Sequence, residues 1–87
     1  MVKVLDFYAD WCGPCKMMDP IIHEVEQELT GKVTLEKINV DEKTEISAKY
    51  GVMSIPTYVI EKDGKEVGRL IGYMAKNDFK KKIEEHL

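Results

Sequence analysis

The two cysteines of this 87-residue chain, Cys12 and Cys15, are its only ones, and both fall within Asp6-Phe-Tyr-Ala-Asp-Trp-Cys-Gly-Pro-Cys-Lys16. Thiols with two residues between them have three chemistries open to them: a structural cross-link, half of a metal site, or reversible disulfide exchange. As a cross-link the pair is weak, because closing so short a loop is worth about 2 kcal/mol against nearly 5 for a loop of about a hundred residues. A small secreted scaffold would instead spread four to eight cysteines along the chain. As a metal site the pair lacks partners. The only other soft donors are His23 and His86, 63 residues apart and unlike the close His spacing of zinc sites, so no metal is expected. Exchange is the chemistry that remains.

Where the pair lies decides how the thiols behave. Val2, Val4, Leu5 and Phe7 to Ala9 form a mostly apolar run that reads as a strand buried on both faces. From Pro14 the positions Met18, Ile21, Ile22, Val25 and Leu29 recur at steps of three and four, the stripe of a helix lying on a sheet, with Gly31 as its stop. Pro14 suits the first turn, whereas Pro20 lies well inside and predicts a kink. The cysteines stand at the junction, where unpaired N–H groups and the positive end of the helix dipole stabilise an anion. Cys12 is therefore the expected attacking thiolate. Cys15, one helical turn on, is placed to displace the reduced substrate and close an intramolecular bridge, with Pro14 fixing the turn between them. That second step needs a base. Asp6, an acid in the middle of the apolar strand, is the candidate, because burial raises a carboxyl pKa toward working pH. Asp6 could instead be a strand residue pointing to solvent, but its neighbours are apolar on both sides.

The remaining elements follow from the same periodicities. Val33, Leu35, Ile38 and Val40 predict a second strand whose alternation slips near Glu36 and Lys37. Asp41 or Thr44 is expected to cap a short helix containing Ile46, Ala48 and Tyr50, stopped by Gly51. Thr57 to Ile60 and Val67 to Ile71 are β-branched runs joined through Asp63-Gly64, a pair that suits a tight hairpin, and Pro56 must begin or edge its strand. Phe79, Ile83 and Leu87 fall four apart on a C-terminal helix whose other face carries Lys80 to Lys82, Glu84 and Glu85. The order βαβ-α-ββα predicts an α/β fold with a mixed four-stranded sheet. A right-handed crossover makes the first two strands parallel, the hairpin is antiparallel, and helices cover both faces. With no repeat or linker, residues 1–87 are expected to form a single domain.

Composition narrows the partners. Sixteen acidic residues against thirteen basic ones give a net charge of -3, and no block of Lys or Arg suits nucleic acid. With 44% hydrophobic and 33% charged residues the chain reads as a soluble globular protein. No apolar run approaches the roughly 20 residues of a spanning helix, and no leader pattern follows Met1, so no membrane partner and a cytoplasmic location are expected.

The stretch Asp6 to Lys16, the later Ser54-Ile-Pro-Thr57 and the segment at Gly72 together resemble the thioredoxin family, and the resemblance runs over nearly all of the chain. It implies a minimal thioredoxin fold, lacking the family's usual N-terminal strand and helix. It implies Cys12 as nucleophile, Cys15 as resolving thiol and Asp6 as buried acid-base group, with Lys37 as its charge partner, although by itself Lys37 reads as a solvent-facing strand lysine. A family value of about 7 for the pKa of the first cysteine would make it about half thiolate at neutral pH, against about 3% for a free cysteine. The resemblance also implies a cis Ile55-Pro56 peptide opposite the cysteines, where the backbone of Ile55 pairs with an extended substrate segment. Trp11, Gly13, Pro14, Ile55, Pro56 and Gly72, with Tyr73, would form a shallow apolar contact surface. The implied partners are disulfide-containing substrate proteins and a thioredoxin reductase or similar donor. The implied redox group is the Cys12–Cys15 disulfide itself, with no bound cofactor, in a monomeric protein disulfide reductase.

Three positions depart from the family pattern: Tyr8 replaces the usual tryptophan, Ala75 stands where a capping Ser or Thr is common, and Glu61 stands where an apolar residue is more usual. Two rival readings remain. One is a glutaredoxin-like, oxidising or isomerising exchanger, although Gly-Pro between the cysteines resembles reducing thioredoxins and Pro-Tyr resembles glutaredoxins. The other is a non-catalytic binding module, a role that would not require Cys12, Cys15, Asp6 and Pro56 together.

Overall fold

The computed structural model describes Met1 to Leu87. Its elements follow in the order β1 (Val2–Tyr8), α1 (Gly13–Glu28), β2 (Val33–Asn39), α2 (Thr44–Lys49), β3 (Thr57–Lys62), β4 (Lys65–Ile71) and α3 (Lys76–Glu84). The four strands form one sheet in the order β2-β1-β3-β4. β1 runs parallel to β2 and antiparallel to β3, and β3 and β4 form the antiparallel hairpin. The expected mixed sheet is therefore the observed one, and the strand that leads to the cysteines lies in its interior.

That position explains why β1 is apolar at nearly every residue. Val2 and Val4 turn to one face, where they pack with Met18, Ile22 and Val25 of α1, Tyr58 and Ile60 of β3, and Phe79 and Ile83 of α3. Leu5 and Phe7 turn to the other face with Ile38 and Val59, covered by Ile46 and Tyr50. Each such fully buried side chain contributes about 1.5–3 kcal/mol relative to exposure. At the Asp63-Gly64 turn both residues take positive φ, 55° and 80°, the backbone that matches the twist of a two-residue hairpin.

Three local expectations are corrected. The cap of α2 is Lys43, which makes no side-chain cap bond. The carbonyl of the Asn39 side chain does related work one turn earlier, accepting from the backbone N–H of Asp41 at 2.9 Å and of Glu42 at 3.4 Å. The alternation of β2 slips at exposed Glu36 and Lys37, where the strand passes from packing one face through Val33 and Leu35 to packing the other through Ile38, and Val40 falls just beyond the strand. Pro20 lies within a helix that continues past it to Glu28, on the exposed side, where water can reach a carbonyl left without a donor. Leu87 lies beyond α3 and is 46% exposed, so Phe79 and Ile83 alone anchor that helix. Ala75 is the cap of α3 and offers no side-chain bond. Glu28 of α1 partly compensates by accepting from Lys76 and Lys80 of α3.

Candidate active site

Cys12 and Cys15 form a disulfide with their Cα atoms 5.3 Å apart. Cys12 is the cap of α1, with extended backbone, and Pro14 occupies the first turn. The Cys12 backbone N–H donates to the Ala9 carbonyl at 3.2 Å, folding the end of β1 back onto the start of the helix. The Cys15 backbone N–H donates to the Cys12 sulfur at 3.2 Å. Exposure does not rank the two cysteines, since both are buried, at 4% and 5%. The donor does. A helix-start N–H aimed at one sulfur favours the thiolate of that residue, Cys12.

Around the disulfide lie Ala9, Tyr8, Val40 and Ile55. The Ile55–Pro56 peptide is cis, and Pro56 is buried. The Pro56 carbonyl accepts from the Gly72 N–H at 2.9 Å, which joins two of the expected contact segments. Gly72 has φ +89°, a conformation that favours glycine. Trp11 is 69% exposed, and its indole N–H donates to the Asp41 carboxylate at 2.8 Å. With Val40, Val52, Met53, Ser54 and Ile55 it borders an open groove of about 330 Å³ beside the cysteines. Gly13, Pro14 and Tyr73 are exposed.

Asp6 is almost wholly buried, on the α1–α3 face of the sheet. Burial raises its carboxyl pKa to about 6, against the pull of Lys37 and with a smaller push from Asp19. Lys37 stands opposite Asp6 in the β1–β2 register. Its ammonium contacts the Asp19 carboxylate at 3.3 Å and lies 4.5 Å from the centre of the Tyr8 ring. Lys37 thus acts on Asp6 through the field rather than by a direct bond, and Tyr8, in place of the usual tryptophan, supplies an aromatic face for the cation. Tyr58 stands opposite Asp6 on its other side, in the β1–β3 register.

The family model for thioredoxin matches residues 1–85. The chain belongs to the thioredoxin family. It is 45% identical over 84 residues to a thioredoxin of Chlorobaculum thiosulfatiphilum, covering 97% of this chain and 78% of the relative. It is also 45% identical over 86 residues to a thioredoxin of Bacillus subtilis, covering 99% and 83%. Among solved structures, mitochondrial thioredoxin 3 of Saccharomyces cerevisiae in its oxidised form superposes with a TM-score of 0.89 at 39% identity, covering 97% of this chain and 77% of that one. A mutant thioredoxin of Halobacterium salinarum also superposes at 0.89, with 37% identity and coverages of 97% and 73%.

As a thioredoxin with a proximal cysteine pair, the protein is a thiol-disulfide oxidoreductase whose redox group is the Cys12–Cys15 disulfide. No group of three or more His, Cys, Asp or Glu side chains converges as a metal ligand set, and no helix is long and apolar enough to cross a membrane. Sequence reasoning missed Asp41 as the holder of Trp11, Asp19 as the partner of Lys37, and Val52 and Met53 as borders of the groove. Met53 carried a usable signal: it is a large apolar residue directly before Ser54-Ile-Pro-Thr57, and it is 97% exposed.

Proposed function

We propose that this thioredoxin acts as a protein disulfide reductase. The Cys12 thiolate attacks one sulfur of a substrate disulfide, forming a mixed disulfide and releasing the first substrate thiolate, which takes a proton. Asp6 accepts the Cys15 proton. The Cys15 thiolate then attacks the Cys12 sulfur, the second substrate thiolate departs, and two electrons have passed from the dithiol to the substrate. Lys37 biases the Asp6 titration downward. The observation that carries this assignment is the Cys15 N–H directed at the Cys12 sulfur.

Trp11, Gly13, Pro14, Ile55, Pro56, Gly72 and Tyr73 are the proposed contact surface for an extended substrate segment, with specificity left loose by flat apolar contacts and backbone pairing. A thioredoxin reductase or similar donor returns the disulfide to the dithiol. A monomer working as one domain in the cytoplasm fits this cycle, because a reducing compartment keeps the dithiol charged with electrons.

The test is the reduction potential of the Cys12–Cys15 couple, measured by equilibration in graded dithiol buffers with Trp11 emission and thiol trapping as readouts. A value well below a glutathione poise of about −220 to −260 mV is expected. A value at or above that poise overturns the reductase assignment in favour of an oxidising or glutathione-linked role.

A further inference from the structure

Asp6 has a second buried polar neighbour, one that the redox cycle above does not use. Tyr58 stands directly opposite Asp6 in the antiparallel β1–β3 register. Paired side chains at such positions share a face of the sheet with Cβ atoms about 4.5–5.5 Å apart. Tyr58 is fully buried, and its hydroxyl has no hydrogen-bond partner. Its ring packs edge-on against Phe79 with the centroids 5.0 Å apart, a contact that phenylalanine would make equally well. Packing therefore explains the ring and leaves the hydroxyl unexplained, and a buried orphan hydroxyl is costly.

None of the charged groups around Asp6 donates a hydrogen bond to its carboxylate. From β2 comes Lys37, whose ammonium is engaged by Asp19 and the Tyr8 ring. From α1 comes Asp19, an acceptor only, and the helix start holds the Cys12–Cys15 pair. From β3 comes the Tyr58 hydroxyl, and the charges that act on it are those of Asp6 and Asp19, both acidic.

We propose that Tyr58 is a positioning residue for Asp6: through one bridging water its hydroxyl donates toward the charged carboxylate, and it turns to accept when the carboxyl is neutral. No proton leaves the pair through Tyr58. Its effect is to hold the carboxylate in one orientation and to favour the charged form, so that Asp6 titrates lower than burial alone would set it. The kinetic consequence rests on the proposed role of Asp6 toward Cys15; the link between Asp6 and Tyr58 does not.

The experiment is a carbon-detected NMR titration of the Asp6 carboxyl in oxidised wild type and Tyr58→Phe. The midpoint is expected to rise by about one unit in the variant. In wild type the Tyr58 Cζ shift should inflect at the Asp6 midpoint, and Asp6→Asn should abolish that inflection, a readout that survives even if Tyr58→Phe folds poorly. An unchanged Asp6 midpoint in folded Tyr58→Phe, or a Tyr58 Cζ shift blind to Asp6, overturns the proposal and leaves an orphan hydroxyl. The pH profile of mixed-disulfide resolution is measured in parallel. If the Asp6 midpoint moves and this profile does not follow it, the positioning link stands and the assignment of Asp6 as the base for Cys15 fails.

Discussion

Lys37 faces Asp6 across the β1–β2 ladder, yet its ammonium bonds to Asp19, 3.3 Å away on α1. Asp6 consequently has no directly bonded counter-charge and keeps a pKa of about 6. Asp19→Asn removes a negative charge that raises that value and frees Lys37 to turn inward. The Asp6 midpoint should fall, as read from its carboxyl carbon shift, and an unchanged or higher midpoint would refute the coupling.

The same burial makes stability depend on pH in the direction opposite to most carboxylates. Between pH 4 and 6 the folded protein keeps a proton on Asp6 that the unfolded chain has released, so stability falls as pH rises through this window and levels off above it. A shift from 3.8 to about 6 corresponds to at most about 3 kcal/mol. Asp6→Asn should be more stable than wild type at pH 7, by up to that amount, and the gain should vanish near pH 4. Denaturant unfolding at several pH values checks this. In the same variant the resolving step should slow by about 10²-fold at pH 7.

The two cysteines should fail in different ways. Cys12→Ser should neither attack nor be trapped by a disulfide substrate. Cys15→Ser should attack and then stall, accumulating a covalent mixed disulfide that mass spectrometry of a non-reduced sample detects. Accumulation in Cys12→Ser instead would reverse the assigned roles.

Asn39 and Asp41 form one support for Trp11. Asn39→Ala removes the acceptor for two backbone N–H groups and should cost about 1–2 kcal/mol in unfolding free energy. It should also loosen the Asp41 carboxylate that holds the indole. Because Trp11 is the only tryptophan, its emission reports this directly, and Asp41→Ala should reproduce the spectral change with a smaller loss of stability.

Ala75→Ser supplies the side-chain oxygen that the cap of α3 lacks and should add about 1 kcal/mol of stability. Thermal unfolding measures it. The reduction potential should stay where it is.

Periodicity made the sheet, its order of elements and the hairpin turn legible in the sequence, because burial imposes those patterns residue by residue. The cysteine pair was legible because its place at a strand-to-helix junction is a local fact. What escaped were contacts between residues far apart in the chain. Nothing at Asp41 announces a bond to Trp11 thirty residues earlier, and nothing at Asp19 announces Lys37. Asn39 escaped for another reason: it is a buried polar residue, and a polar side chain gives no periodic signal of its burial.

Of the helices, α2 is held least firmly. It is six residues long, has no fully buried side chain and begins without a side-chain cap, and it leads directly into Val52, Met53 and Ile55. Such an element opens at a fraction of the free energy needed to unfold the domain, so its amides should exchange with deuterium well before those of β1. Val52 and Met53, on one side of the groove beside the disulfide, follow directly on this helix, so that side should exchange faster than the cysteines at the end of interior strand β1. If it does, the proposed contact surface can change shape on that side while the disulfide stays where the sheet holds it.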